Sequence, residues 1–371
     1  MNPLETILRD TIRQTGPIPV SDFMAIALGH PEHGYYRKAD PLGRVGDFIT
    51  APEISQVFGE LIGLWAAVVW QQAGSPSPVR LVELGPGRGT LMADALRAAM
   101  GVPKFSSAVE VHLVETSPVL RDRQREALDG HTVTWHESPN LVPDGPAIFI
   151  ANEFFDALPA DQYVRTGDGW NERRIDFDES SGGFVFVLSE ETAEPGTIPL
   201  DLDDAPVDSI FEHSPIRDAT ALRLAQRIAA NGGAALVIDY GHFLSGLGDT
   251  LQAVRDHRPH DPLSDIGDAD LTTHVDFAAL SRAANGAGAR TWGPVPQGAF
   301  LAALGAEQRA EALAAQATAR QASTLVSGVR RLIAADGMGT LFKVMAITPA
   351  GAPAPPGLET VWRTEPGLRH E

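Results

Sequence analysis

Three glycines at alternate positions stand between a strand pattern and a helix pattern. They are Gly85, Gly87 and Gly89, with the apolar stretch 79–84 before them and Thr90 at the start of the helix pattern. Glycine adopts positive φ and lets the backbone approach a ligand closely, while a helix start presents unpaired N–H groups. The segment predicts a turn that binds a nucleotide-like ligand at the end of a buried strand.

The spacing of the glycines distinguishes between two cofactor classes. A dinucleotide fingerprint is G-x-G-x-x-G, whereas this segment is G-x-G-x-G and carries Thr90 where the third glycine should be. Glu83, two residues before the first glycine, favours S-adenosylmethionine over NAD. Glu115 ends the next strand pattern, and an acid there can accept hydrogen bonds from both hydroxyls of a ribose. A tight strand-to-helix turn without any ligand is the structural alternative.

A block of polar residues follows the apolar segment 147–151. It contains Asn152, Glu153 and Asp156, with Phe154 among them. Ligands of an open parallel sheet gather at the carboxyl ends of its strands. Paired carboxylates match the forked donors of a guanidinium, although the same residue types also cap helices. The block predicts catalytic residues that hold a cationic acceptor.

The next strand pattern ends in Tyr240 and His242, and His274 stands in a later polar block. We expect these three residues and Phe154 to contact the substrate. No metal is expected, because no ligand spacing typical of zinc sites occurs. The usual signatures of phosphoryl transfer and serine hydrolysis are missing as well.

Composition restricts the function further. Acidic residues outnumber basic ones by 48 to 29, so the net charge of −19 disfavours nucleic-acid binding and is compatible with a basic protein substrate. The sequence has no cysteine and no apolar run of the roughly 20 residues that cross a membrane. The N-terminus is amphipathic and contains acids, so we expect a bacterial cytoplasmic protein, or a mitochondrial matrix protein if the source is eukaryotic.

Strand and helix patterns alternate, which predicts an α/β fold with a doubly wound parallel sheet. Residues 241–270 are weakly patterned and are expected to form an irregular loop. The predicted regions are an N-terminal helical region (1–75), the first half of the sheet domain (76–166), a hairpin insertion (167–213), the sheet domain continued (214–245), a site-covering loop, helix and strand (246–297), a helical subdomain (298–336), the last strand (337–348) and a loose tail (349–371).

Taken in order, these blocks resemble the MidA-like class I S-adenosylmethionine-dependent methyltransferases, a family that includes the mitochondrial complex I assembly protein-arginine methyltransferase. The resemblance rests on residues 46–54, 81–90, 112–117, 152–159, 239–242 and 270–277. It implies a Rossmann-like class I methyltransferase sheet, mostly parallel with an antiparallel last strand, and S-adenosyl-L-methionine as the cofactor.

The resemblance also implies roles for individual residues. The three glycines would cradle the amino-acid end of the cofactor and Glu115 its ribose, with further cofactor contacts from Glu83, Thr90, Thr50, Pro52 and Glu53. Glu153 and Asp156 would lie near the acceptor.

The implied activity is symmetric dimethylation of an arginine in a complex I core subunit or its bacterial counterpart. An NAD-dependent oxidoreductase and a non-catalytic assembly scaffold are the alternatives. The oligomeric state is left open, with a homodimer as one alternative.

Overall fold

The computed structural model describes residues 2–38 and 49–359 and divides the chain into two compact units. We call residues 2–38, 155–219 and 245–274 the five-strand unit, and residues 49–154, 220–244 and 275–359 the eight-strand unit, after their largest sheets. Positions 46–48 of the predicted 46–54 block, and positions 360–371 of the predicted tail, lie outside the described residues.

Helices and strands alternate along most of the described chain. The α-helices are α1 (Pro3–Thr15), α2 (Val20–Gly29), α3 (Tyr35–Lys38), α4 (Ala51–Ile54), α5 (Gln56–Gln72), α6 (Thr90–Ala99), α7 (Pro103–Ala108), α8 (Pro118–Ala127), α9 (Pro215–Asn231), α10 (Phe277–Gly286), α11 (Gln297–Ala303), α12 (Ala306–Ala314), α13 (Ala319–Ile333) and α14 (Met338–Leu341). The strands are β1 (Ile18–Pro19), β2 (Val79–Leu84), β3 (Val109–Val114), β4 (Val133–His136), β5 (Ala147–Asn152), β6 (Asp161–Arg165), β7 (Trp170–Asp178), β8 (Gly183–Thr192), β9 (Ile210–His213), β10 (Gly233–His242), β11 (Gln252–Arg255), β12 (Arg258–His260), β13 (Asp270–Thr272), β14 (Val275–Asp276), β15 (Ala289–Pro296) and β16 (Phe342–Pro349).

The large sheet of the eight-strand unit has the order β15-β16-β10-β5-β2-β3-β4, and β14 pairs with β10. Strands β10, β5, β2, β3 and β4 are parallel to one another, whereas β16 is antiparallel to both of its neighbours. This arrangement confirms the predicted class I sheet with its antiparallel last strand. The carboxyl ends of β2, β3, β5 and β10 lie at one edge, where ligands of such sheets bind.

Helices packed against the large sheet build the core of this unit. The largest fully buried side chains there include Trp65 and Phe58 of α5. A Cβ atom on Gly63 of α5 would lie 2.4 Å from the carbonyl oxygen of Ala95, so glycine is what allows α5 to approach α6.

The five-strand unit contains the order β1-β7-β6-β9, with β8 paired to β7. The predicted hairpin is the pair β7 and β8, and non-local pairing with β1, β6 and β9 extends it. Leu4 and Leu8 of α1 and Phe23 of α2 are fully buried in the core of this unit.

Two segments differ from the expectation. Residues 241–270 were expected to be irregular, but β11, β12 and β13 form a three-stranded antiparallel sheet there, with strands too short to leave a periodic pattern. Residues 338–341, expected in the last strand, form α14. A Cβ on Gly339 would lie 2.1 Å from the carbonyl oxygen of Ile333, so this helix packs closely on the end of α13. No helix among the described residues is long and apolar enough to cross a membrane.

Candidate functional site in the eight-strand unit

The glycine-rich turn joins β2 to α6 with left-handed backbone at each glycine. Gly85 has φ 61° and Gly89 has φ 84°. A Cβ on Gly85 would lie 3.1 Å from the ring of Phe154, and one on Gly89 would lie 3.3 Å from Cα of Gln124. The left-handed backbone therefore favours glycine at both positions, and a Cβ atom at either would also be tightly packed. No side chain caps α6 within the described structure, so the start of this helix can serve a ligand.

Glu83 is the second-to-last residue of β2 and is buried. Its carboxyl group accepts a hydrogen bond from the backbone N–H of Met92, and burial raises its pKa to about 8. The oxygen Oε2 has no hydrogen-bond partner among the described residues. A buried polar atom without a partner is costly unless a ligand completes it. This orphaned oxygen and the glycine cradle fit the charged amino-acid end of the predicted cofactor.

Glu115 follows β3 and is held from both sides. Oε1 accepts the N–H of Ser117 at 2.7 Å, Oε2 accepts Nε2 of Gln124 at 3.2 Å, and burial raises the pKa of this carboxyl. Nε2 of Gln124 also donates to the carbonyl oxygen of Gly87 at 2.7 Å, and its Oε1 accepts the indole N–H of Trp135. Gln124 therefore connects the predicted ribose site with the glycine turn.

The short helix α4 brings the predicted Thr50, Pro52 and Glu53 to the same turn. Oε1 of Glu53 accepts the hydroxyl of Thr90, and Oε2 lies 3.7 Å from the guanidinium of Arg88. Thr50 precedes the helix and Pro52 is buried in its first turn. The block 49–54 and the glycine turn, which are far apart in sequence, are therefore adjacent in this unit.

The acidic block begins at the end of β5. Asn152 is the last residue of this strand, and Glu153 adopts a left-handed backbone conformation with φ 50°. The N–H of Glu153 donates to the carbonyl oxygen of Ile238, while its Oε1 accepts the N–H of Ala51 at 3.1 Å and Nδ2 of Asn152 at 3.2 Å. Non-glycine residues in this conformation are strained and concentrate at functional sites.

The predicted residues of β10 lie at the same edge. Tyr240 packs its ring edge-on against Phe342 with centroids 5.4 Å apart, and His242 is in register with Asp276 of β14. Lys343 of β16 pairs in register with Asp239 of the adjacent strand β10. Burial lowers the pKa of the Lys343 ammonium to about 8. The end of β10 thus presents aromatic and charged groups beside the end of β5.

Asp156 and His274 belong to the five-strand unit instead. The guanidinium of Arg217 is buried and donates to the carbonyl oxygens of Asp156 and His274, each at 2.8 Å. The hydroxyl of Tyr36 donates to Asp270 at 2.8 Å; burial and the charges of Asp270 and Asp156 raise the pKa of Tyr36 well above its ordinary value. Asp156 therefore lies in a buried acidic environment of its own.

Sequence reasoning missed three residues that hold these groups. Gln124 could have been found as a polar residue four positions after Leu120 on the buried face of α8. Arg217 and Tyr36 left no comparable signal, because their partners lie far away in the sequence.

Similarity to known proteins agrees with this geometry. The mitochondrial protein arginine methyltransferase NDUFAF7 homolog of Drosophila melanogaster is 40% identical, over 92% of this chain and 84% of the relative. The human protein arginine methyltransferase NDUFAF7, also mitochondrial, is 36% identical over 94% of this chain and 84% of the relative. The chain therefore matches such enzymes over nearly its whole length.

A solved structure agrees at the level of the fold. A protein from Burkholderia thailandensis, described as a "likely methyl transferase" and bound to S-adenosyl-homocysteine, superimposes with a TM-score of 0.81 at 28% identity. The match covers 96% of this chain and 93% of that one. It supports the expected cofactor, since S-adenosyl-homocysteine is what remains of S-adenosylmethionine after methyl transfer.

A family model of S-adenosyl-L-methionine-dependent methyltransferases matches residues 61–295. This range includes the glycine turn, Glu115 and the acidic block. Together with the relatives, it supports a methyltransferase over the alternatives of an NAD-dependent oxidoreductase and a non-catalytic scaffold. The chain belongs to this family of S-adenosyl-L-methionine-dependent methyltransferases.

Proposed function

We propose that this enzyme methylates arginine side chains of a protein substrate. The names of the curated relatives support this acceptor. By resemblance, the product is symmetric dimethylarginine and the substrate is a core subunit of respiratory complex I or its bacterial counterpart. We also infer a mitochondrial matrix location for a eukaryotic source and a cytoplasmic one for a bacterial source.

The observation that carries this proposal is the position of Glu153. Glu153 follows the last residue of β5, and a Cβ atom on Gly85 of the glycine turn would lie 3.1 Å from the ring of the next residue, Phe154. Its left-handed backbone is held by hydrogen bonds to β10 and α4. A carboxylate fixed beside a cofactor loop can orient a cation next to a methyl donor.

The chemistry of arginine explains the need for acids. The cofactor supplies an electrophilic methyl group. A guanidinium has a pKa above about 12 and no free lone pair, so its charge must be held in place and one N–H proton must leave as the new N–C bond forms. The carboxylate of Glu153 can accept hydrogen bonds from the guanidinium N–H groups. These hydrogen bonds draw positive charge away from the attacking nitrogen. The sequence predicts the same role for Asp156, which lies three residues further along the chain and belongs to the five-strand unit.

Isosteric neutral variants test these roles. We expect Glu153→Gln and Asp156→Asn to abolish methyl transfer from labelled S-adenosylmethionine while cofactor affinity, measured by calorimetric titration, stays nearly unchanged. Glu137→Gln is the matched control, because Glu137 is exposed. Equal loss of cofactor affinity in both variants would instead place these carboxylates in the cofactor site.

A further inference from the structure

The negative charge of the protein is concentrated in the five-strand unit. The described residues of the five-strand unit include 26 acidic and 10 basic side chains. Those of the eight-strand unit include 18 acidic and 16 basic side chains. The net charges are therefore −16 and −2. Between Arg174 and Arg217 the chain carries eleven Asp or Glu residues and no Lys or Arg. A field of one sign attracts partners of the opposite sign.

Strand β8 lies within this acidic stretch and forms an open edge. It is ten residues long and pairs antiparallel with β7; no other strand in the described ranges pairs with it. Its outer backbone N–H and C=O groups thus form a row that can accept another strand.

The other sheet edges of the described chain are protected. β4 and β9 have only four residues each, and β12 and β13 have three. The longer edge strand β15 contains Pro294 and Pro296, which cannot donate hydrogen bonds. β8 has neither proline nor lysine, the residues that usually block edge pairing. Its pairing with β7 is regular over residues 183–188, and the register shifts between Leu188 and Thr192. An open edge without proline or lysine is an aggregation hazard unless it serves a partner.

Apolar side chains accompany this edge. Leu188 of β8 is 45% exposed. Val185 and Val187, on the other face of β8, are partly exposed as well. Exposed apolar groups among acids favour a partner segment that combines apolar and basic side chains.

We propose that the outer edge of β8 docks an extended segment of the protein substrate that contains arginine or lysine. The segment adds to the sheet as a further strand. Its backbone pairs with residues 183–192, its apolar side chains contact Val185, Val187 or Leu188, and its basic side chains approach Glu190 and Glu191. The proposal rests on the proposed function in one respect, namely that the substrate is a polypeptide.

Charge favours a substrate segment over a second copy of this chain as the occupant of the β8 edge. Pairing of two β8 edges would bring two strands that carry only negative charges against each other, which is unfavourable. A basic segment gains electrostatic attraction at the same edge. The substrate is therefore the occupant, and association of the free chain through β8 is an outcome that would contradict this assignment.

A defined peptide tests the docking directly. The probe is a ten-residue peptide, the length of β8, in which arginine and valine alternate. We expect it to bind the full chain and to slow amide hydrogen exchange in residues 183–192. A peptide of the same sequence with alternate backbone nitrogens methylated should bind at least about tenfold more weakly, because it lacks strand donors on one edge.

Charge reversal provides the matched variants. Glu190→Lys with Glu191→Lys should weaken probe binding at least about tenfold and leave S-adenosylmethionine affinity unchanged. Asp129→Lys with Glu137→Lys changes the net charge equally at exposed positions of the other unit and should have little effect.

Four results would overturn the docking assignment. They are equal binding of the methylated probe, equal effects of the two double variants, no protection of residues 183–192, and dimerisation of the free chain that the β8 variants abolish. The proposed function fails separately: a chain that docks the probe but transfers no methyl group to any arginine would contradict it alone.

Discussion

At the scale of single residues, two carboxyl groups are held in states that cost the free protein stability. Glu83 is buried with its pKa raised to about 8, and Glu153 occupies a left-handed backbone conformation. Folding alone favours neither arrangement, since an apolar residue and a glycine would suit these positions better. Both residues flank the glycine turn, which indicates that ligand binding explains them.

Glu83 makes stability depend on pH. Its pKa is about 8 in the folded chain and near its ordinary 4.5 in the unfolded chain, so the folded state holds an extra proton between these values. The free energy of unfolding should therefore fall as pH rises from about 5 to 8, by up to about 1.4 kcal/mol per pH unit. Glu83→Gln should flatten this dependence in denaturant titrations without cofactor. Parallel pH profiles of Glu83→Gln and the parent, with Glu137→Gln as control, would contradict the assigned burial.

Two substitutions at Glu153 distinguish the cost of its backbone conformation from the role of its carboxylate. Glycine adopts φ 50° without cost, so Glu153→Gly should be more stable than Glu153→Ala by about 1 kcal/mol. Both variants lose the carboxylate and should be inactive in methyl transfer. Thermal unfolding compares their stabilities. A Glu153→Ala protein as stable as Glu153→Gly would show that the strand end relaxes and that the left-handed conformation is not enforced.

At the scale of secondary-structure elements, side chains from one helix hold several loops in place. Gln124 of α8 connects the glycine turn with Glu115, and Arg217 of α9 connects the segments around Asp156 and His274. The sequence predicted the parallel strands of the large sheet, the glycine turn and the acid after β3, because each depends on a local period or a local conformation. Contacts such as that between Tyr36 and Asp270 join residues 234 positions apart, and no local pattern encodes them.

Removing the connection made by α8 should loosen the cofactor site. Gln124→Leu keeps the approximate side-chain volume but removes the amide nitrogen that donates hydrogen bonds to Gly87 and Glu115. We expect cofactor affinity to fall about tenfold, equivalent to about 1.4 kcal/mol, in a chain that remains folded. Calorimetric titration gives the affinity, and Gln316→Leu at an exposed position is the control. Unchanged affinity in folded Gln124→Leu would show that the turn and Glu115 are positioned independently.

Arg217 should matter through its geometry rather than its charge. Besides Asp156 and His274, its guanidinium donates to Leu158 and Thr273, and lysine cannot reproduce this planar set of donors. Arg217→Lys should lower the free energy of unfolding by about 3 kcal/mol, because buried carbonyl groups lose their partner. Arg223→Lys, exposed on the same helix, should change it little. Equal stability of the two variants would contradict the positioning role of Arg217.

At the scale of the whole molecule, the two units differ in charge and in how far the sequence predicted them. The eight-strand unit follows from alternating strand and helix patterns, and its parallel sheet confirmed that prediction. The five-strand unit is assembled from three separate stretches of chain, and its short strands, such as β1 and β13, pair over long sequence distances. A total charge of −19 was evident from composition, but its concentration in one unit required the division of the chain.

Arginine methylation is tested most directly by identifying the atom that receives the methyl group. Cell extract from the source organism is incubated with the purified chain and with S-adenosylmethionine carrying a deuterated methyl group, and labelled peptides are sequenced by tandem mass spectrometry. We expect label on the guanidinium nitrogens of arginine, absent with Glu153→Gln and retained with Glu137→Gln. Label confined to lysine or to small molecules, or equal labelling by Glu153→Gln, would contradict this expectation.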